Sequence, residues 1–197
     1  MSDRGTLNVY ARKAEEYLEV TREAATADPL LAAFIADLPD RSRVLDLGCG
    51  PGLCAAAMAA AGHEAIAMDA VPEMVALAAE HPGVNARIGT FDDIEGDGAY
   101  DGVWANFSLL HAPRADLPRH LAAIRRALKP GGLFHIALKT GTGEKRDDLG
   151  RYYAYYTSDE LTALLEKAGF TVTGHSTGRD RGLDGALSDW VALRAHA

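Results

Sequence analysis

Two carboxylates and three glycines are the residues of this chain whose types and spacing most directly suggest chemistry. Asp46 lies inside VLDLGCGPG, residues 44–52, with Gly48, Gly50 and Gly52 behind it, and Asp69 closes the apolar run HEAIAMD. Val44, Leu45 and Leu47 predict a short buried strand, and the alanine-rich run from Leu53 to Ala61 predicts a helix. A strand, a glycine turn and a helix N-terminus together form a site for a nucleotide-like ligand. Glycine reaches positive φ and lets a ligand approach the main chain without meeting a Cβ.

The spacing narrows the ligand. A dinucleotide turn needs G-x-G-x-x-G, and counted from Gly48 the third position is Leu53, with the glycine one residue early at Gly52. No G-K-[ST] follows, which removes a P-loop. Asp46 at the strand end repels a pyrophosphate and attracts an ammonium group. S-adenosylmethionine carries an α-ammonium and a sulfonium and no phosphate. Asp69 stands where an acid accepts hydrogen bonds from both ribose hydroxyls, a role shared with NAD sites.

Other candidates lie further along. His111 follows the fourth expected strand and is the general-base candidate, because an unperturbed histidine titrates near neutrality. Its alternative is to bond a loop backbone. Lys139 ends the fifth strand and Arg151 opens the run RYYAYY, so both suit an anionic substrate group or a solvated surface. Tyr152, Tyr153, Tyr155 and Tyr156 either wall a pocket or pack on the next helix. Arg179, Asp180 and Arg181 read as a charged turn. The remaining histidines lack metal-ligand spacing, so no metal site is expected.

Positioning these residues takes an alternation of strands and helices. A polar, helix-prone segment from Leu7 to Ala27 carries Tyr10, Ala14, Tyr17, Leu18 and Thr21 on one stripe. Asp28-Pro29 restarts a helix that ends at Pro39. Strands are predicted at 44–47, 63–70, 84–89, 102–107 and 133–139. Between them come helices over Pro72–Glu80 and from Asp116 to Lys129. TGTGEKRDDLG reads as a loop, Thr157 or Ser158 caps a helix ending at Gly169, and FTVTGHS and DWVALRAHA make an antiparallel hairpin at one edge. The expected fold is α/β: a Rossmann-like, seven-stranded, mostly parallel sheet with an antiparallel edge strand and helices on both faces. Residues 1–40 form an N-terminal helical cap on a single domain whose core is 41–197.

Bulk properties agree with one soluble enzyme-sized domain. The chain has 197 residues, 48% hydrophobic and 24% charged, and a formal net charge of −8. That acidity argues against a phosphate-backbone footprint, so no nucleic-acid partner is expected. Two cysteines make no disulfide framework. No apolar run approaches the ~18 residues of a membrane span, and the start MSDRGTLNVY lacks the apolar region of a signal peptide. A cytoplasmic monomer or homodimer with a small-molecule substrate is expected.

VLDLGCGPG closely resembles the glycine turn of class I S-adenosylmethionine-dependent methyltransferases. AMDAVPEM resembles their acidic second-strand segment, YDGVWANFSLLHAP the fourth strand and its loop, and LKPGGLFHIALK the fifth strand. YARKAEEYLEVT, SLLHAPRADLP and GRYYAYYTSDELTALLEKAGF resemble a bacterial and archaeal subgroup often labelled tellurite-resistance-like. The resemblance implies that Asp46, with the backbone of Gly48, Cys49 and Gly50, holds the amino-acid end of the cofactor. It places Asp69 on the ribose, Ala70 and Met74 on adenine, and Asn106 and Phe107 beside the methionine portion. Many members have Gly-Asp after the third strand; here Thr90 follows Gly89, leaving the adenine amino group to Phe91 or Asp92. Apart from the resemblance, Tyr10 and Tyr17 on the N-terminal stripe either pack on the body of the domain or lid the cofactor pocket. The Asn/Asp-Pro-Pro-aromatic motif that resembles amino-group methylation of adenine or glutamine is absent, because Phe-Ser-Leu follows Asn106. The alternatives kept open are a silent cofactor-binding module and a methyltransferase for protein or tRNA.

Overall fold

The computed structural model describes residues 3–197, with the backbone alone for 23–26. Strands β1 (Arg43–Leu47), β2 (Glu64–Asp69), β3 (Val84–Ile88), β4 (Tyr100–Asn106) and β5 (Leu128–Lys139) pair in parallel. Two short strands, β6 (Glu144–Arg146) and β7 (Tyr152–Ala154), form a separate antiparallel ribbon. The chain closes with β8 (Thr171–Arg181) and β9 (Leu187–His196). The main sheet has seven strands in the order β3-β2-β1-β4-β5-β9-β8, with β9 antiparallel to both β5 and β8. The antiparallel pair at one edge is as expected. Chain direction across the sheet switches between β1 and β4, where ligands bind in open α/β sheets.

Helices α1 (Arg4–Arg12), α2 (Ala14–Thr26) and α3 (Pro29–Asp37) precede the sheet, and α4 (Leu53–Ala60), α5 (Pro72–Ala79), α6 (Leu117–Ala127) and α7 (Ser158–Lys167) connect its strands. The period-two alternation of strand side chains sorts them into two layers. Val44, Ala65, Ala67 and Trp104 pack with Phe34 of α3 and Met58 of α4. Leu45, Ile66, Met68 and Val103 pack on the opposite face with Leu121 of α6 and Leu161 of α7. Phe34 meets Trp104 edge-on at 5.1 Å, which makes α3 part of the sheet's own packing.

Three local expectations change. The helix over 7–27 is broken at Lys13, whose φ of −115° and ψ of 19° end α1 before α2 begins. TGTGEKRDDLG holds strand β6 where a loop was expected. Its glycines and charges show no alternation, and it pairs with β7 in a local hairpin, Arg146 opposite Tyr152. The fifth strand begins at Leu128, directly after α6, because Lys129 to Gly132 continue the strand instead of separating the two. The caps at Asp28 and Thr157 form as expected, each side chain accepting a backbone N–H of its helix.

Gly52 combines a φ of 80° with a crowded site, where a Cβ would lie 2.6 Å from the Cβ of Ala78. Gly52→Ala is expected to destabilise the fold by about 2–4 kcal/mol, adding overpacking to left-handed strain. Gly62 has φ 93° and nothing within 4 Å, so Gly62→Ala should lose only the conformational part. Urea midpoints at constant slope compare the two.

Candidate functional site

Asp46 shares β1's parity with Val44, so its side chain turns toward the α4 layer. There Oδ2 accepts the Ala55 N–H at 3.1 Å, and the residue is 3% exposed. Gly48, Gly50 and Gly52 all have positive φ. The Gly48 and Cys49 N–H groups donate to the Met68 carbonyl, and Gly50 N–H donates to Asp69 Oδ2 at 2.9 Å. The other oxygen of Asp69 accepts the Val71 N–H at 2.9 Å. One carboxylate thus fixes the glycine turn on one side and the start of α5 on the other.

These residues open into a cavity of about 940 Å³ at the C-terminal edge of the sheet. Asp46, Gly48, Cys49, Gly50, Asp69, Ala70 and Met74 line it. A Cβ on Gly48 would lie 2.3 Å from Ser108 Cβ, so the turn nests directly on the loop after β4. The hydroxyl of Ser108 is buried there without a hydrogen-bond partner. Neither Asp46 nor Asp69 has a cation of the protein as partner. Burial first, then the charge of Asp69, pushes the Asp46 carboxyl up to about 7, and burial raises Asp69 as well. A buried and a half-buried acid, a free hydroxyl and a glycine turn without a lysine fit a cationic, phosphate-free nucleoside, and S-adenosylmethionine is one.

Beyond β3, Thr90 and Phe91 line the cavity. Thr90 spends its N–H and hydroxyl on Asp93, both at 2.8 Å. Asp92 does not line it: its carboxylate is bonded to Arg119 of α6, which holds it well below the usual carboxylate range. The adenine contact expected of Asp92 is therefore corrected; the ion pair draws it to α6. At the end of β4, Asn106 Oδ1 accepts from His135 Nε2 at 3.1 Å, and His135 is stacked on Trp104 at 3.6 Å. Burial pushes His135 down to about 3, so its ring is a neutral donor that orients Asn106. Phe107 adopts φ 53°, rare for a bulky residue, and its ring stands edge-on to Trp190.

The N-terminal helices close the cavity from above. Tyr10 and Tyr17 line it and meet edge-on at 5.4 Å across the Lys13 break. Tyr10 is the centre of a buried network. Its oxygen accepts from Arg151 Nη1 at 2.9 Å, and its own proton goes to His111 Nε2 at 3.0 Å. His111 Nδ1 donates to the Tyr152 carbonyl at 2.7 Å, which fixes the tautomer. Arg151, 2% exposed, is neutralised by Asp147, with Nε and Nη2 within 2.8 Å of its Oδ2. At the cavity wall, Asp3 pairs with Arg146 of β6, and Thr6 accepts the Tyr152 N–H, strapping α1 to the ribbon.

This geometry revises several roles expected of the sequence. The lone pair of His111 is taken by Tyr10, and burial pushes the ring down to about 4, so it is a poor proton acceptor. Tyr152 and Tyr156 do not line the cavity. Tyr152 serves through its backbone, and Tyr156 is buried beneath the guanidinium of Arg114. Tyr153 and Lys139 line it instead, together with Arg151. Asp180 and Arg181, read as a charged turn, also line it, because β8 and β9 stay paired out to Arg181 and Leu187. The Asp184-Gly185 pair was the available signal for that late turn. Trp190 and Ser108 carried no sequence signal. Among the described residues no group of three His, Cys, Asp or Glu is placed to hold a metal, and no helix is long and apolar enough to cross a membrane.

A family model described as "Methyltransferase domain" matches residues 17–175. The chain belongs to that family. Among solved structures, an S-adenosylmethionine-dependent methyltransferase from Methanosarcina mazei superposes with a TM-score of 0.74 at 19% identity, over 85% of this chain and 96% of that one. The 1,6-didemethyltoxoflavin N1-methyltransferase of Burkholderia thailandensis, bound to 1,6-didemethyltoxoflavin and S-adenosylhomocysteine, gives 0.69 at 25% identity, over 96% and 87%. The ubiquinone biosynthesis O-methyltransferase of Xanthomonas oryzae pv. oryzae is 38% identical over 103 residues, covering 49% of this chain and 42% of that protein. The chain spans less than half the length of the curated relatives it matches. The class I superfamily is thereby established, while the tellurite-resistance-like subgroup rests on sequence resemblance alone.

Asp46 also sets a pH dependence. Its folded value near 7 lies above the unfolded value near 4, so the folded state binds the extra proton and stability falls as pH rises through that window. Asp46→Asn removes the effect. Relative to the parent, the variant should gain on the order of 2–4 kcal/mol between pH 4.5 and 7.5 in urea unfolding of the ligand-free protein.

Proposed function

We propose that this chain transfers a methyl group from S-adenosylmethionine to a small-molecule acceptor. The observation that carries the reading is the pair of carboxylates, Asp46 buried and Asp69 half-buried and neither with a cationic partner among the described residues, facing one cavity beside the glycine turn. When bound, the cofactor supplies a methyl group on a positively charged sulfur, an electrophile that needs only a positioned nucleophile.

The roles of the chain's own residues follow from their places. Asp69 keeps lone pairs beyond its two backbone bonds and takes the ribose hydroxyls. Asp46 and the turn from Gly48 to Gly50 hold the amino-acid end, where an ionised Asp46 answers an ammonium group. Ala70 and Met74 give adenine an apolar wall, with Thr90 and Phe91 at its rim. Asn106, oriented by His135, and Phe107 border the methionine portion. His111 positions Tyr10, and through it the closing helix α1. Enclosure by α1, α2 and the β8–β9 hairpin favours a small molecule over a protein or tRNA. The names of the relatives, an O-methyltransferase and an N1-methyltransferase, leave oxygen and nitrogen both open as the acceptor atom.

Calorimetry is expected to show S-adenosylhomocysteine binding and no heat with NAD; binding of NAD alone overturns the reading. Asp69→Ala strands the ribose hydroxyls and loosens the glycine turn, so affinity should fall tenfold or more. An ammonium near Asp46 favours its ionised form, so binding near pH 6.5 should release protons, read from the difference in heat between two buffers. Affinity should therefore weaken as pH drops below about 7.

A further inference from the structure

The cavity has two electrical ends. Asp46 and Asp69 make the glycine-turn end acidic. At the other end, past Phe107, Lys139 leaves β5 with its ammonium 4.3 Å from the Tyr153 ring centroid. Each of the other charged groups there is already engaged. Arg151 is paired with Asp147, Asp180 accepts the Trp190 indole N–H at 2.6 Å, Arg181 donates to the Gly185 carbonyl, and Asp184 accepts the Ala186 N–H. Tyr10 and His111 are neutral and bonded to each other. The Lys139 ammonium is partly buried yet makes no hydrogen bond or ion pair among the described residues, and Asp184 and then Asp147 are the acids whose charges reach it. A partly desolvated ammonium facing a cavity gains most from an anion placed there. The walls around it are rings: Tyr153, and Phe107 with Trp190 at 6.1 Å between centroids.

Resting on the methyltransferase reading above, we propose that the acceptor is a flat ring compound with an acidic hydroxyl (a phenol, enol or hydroxy-heteroarene), held as its oxyanion by Lys139 among these rings. The hydroxyl proton leaves to water as the acceptor binds. An oxygen lone pair then forms the O–CH3 bond. The electrons of the breaking S–CH3 bond stay on sulfur, which becomes a neutral thioether. The acids at one end hold the positively charged donor, and Lys139 at the other holds the negatively charged nucleophile, so the reaction joins opposite charges across one cavity.

The probe is 4-nitrophenol, whose phenolate form absorbs visibly, titrated against pH with protein saturated in S-adenosylhomocysteine. The ionisation midpoint of the bound dye is expected at least one pH unit below that of the free dye, a tenfold or greater preference for the phenolate. Lys139→Met should abolish the shift while S-adenosylhomocysteine still binds, and Lys139→Arg should restore most of it. Nitrobenzene should bind equally well to the parent and Lys139→Met. An unshifted midpoint, no binding of the dye, or a shift that survives in Lys139→Met overturns the proposal while leaving the cofactor reading intact. Failure of S-adenosylhomocysteine to bind overturns both.

Discussion

The carboxylate of Asp69 holds one backbone N–H on each side of the crevice, Gly50 in the turn after β1 and Val71 at the head of α5. Most of the cofactor half depends on that bridge. Without it, the glycine turn would be free to adopt many conformations, since glycine constrains its own backbone least. With it, Gly48 can seat against Ser108 and Gly52 against Ala78 at distances no Cβ allows. The arrangement is costly in charge, because the buried Asp46 and the half-buried Asp69 lie near one another with no cationic partner among the described residues. A positively charged ligand reverses that cost, so the same feature that burdens the free protein selects the ligand.

The other end of the cavity is assembled differently. It has no local motif; it is a meeting of distant pieces. Tyr10 from α1, His111 after β4 and Arg151 beside β7 are joined by hydrogen bonds spanning more than a hundred residues of chain. His111 shows how such a network decides a role. Isolated, its ring titrates near neutrality and suits a proton acceptor. Buried, with one nitrogen donating to Tyr152 and the other accepting from Tyr10, it is a neutral strut. Lys139 is the contrasting case, a cation over the Tyr153 ring that makes no hydrogen bond or ion pair among the described residues.

The order of elements, the parallel sheet and the carboxylates at 46 and 69 were all legible in the chain. They rest on local rules: alternation along strands, glycine at positive φ, caps at Asp28 and Thr157, and an acid at a strand end. The positions of Asp92, Tyr152 and Tyr156 were not, because each depends on a partner from another element. Arg119 of α6 draws Asp92 away, α1 takes the backbone of Tyr152, and Arg114 covers the ring of Tyr156. The β6–β7 ribbon was hidden too, since its strands are three residues each and show no apolar alternation.

The sequence by itself determined the glycine-turn end of the cavity, because strand, turn and acid follow one another closely and their geometry is fixed by backbone sterics. Tertiary structure alone decided the rest. It broke the first helix at Lys13 so that two tyrosines cover the cavity, extended the β8–β9 hairpin over it, and occupied His111 while leaving Lys139 free. Those outcomes are set by burial and by the pairing of charges across distant segments, and neither quantity exists until the chain has folded.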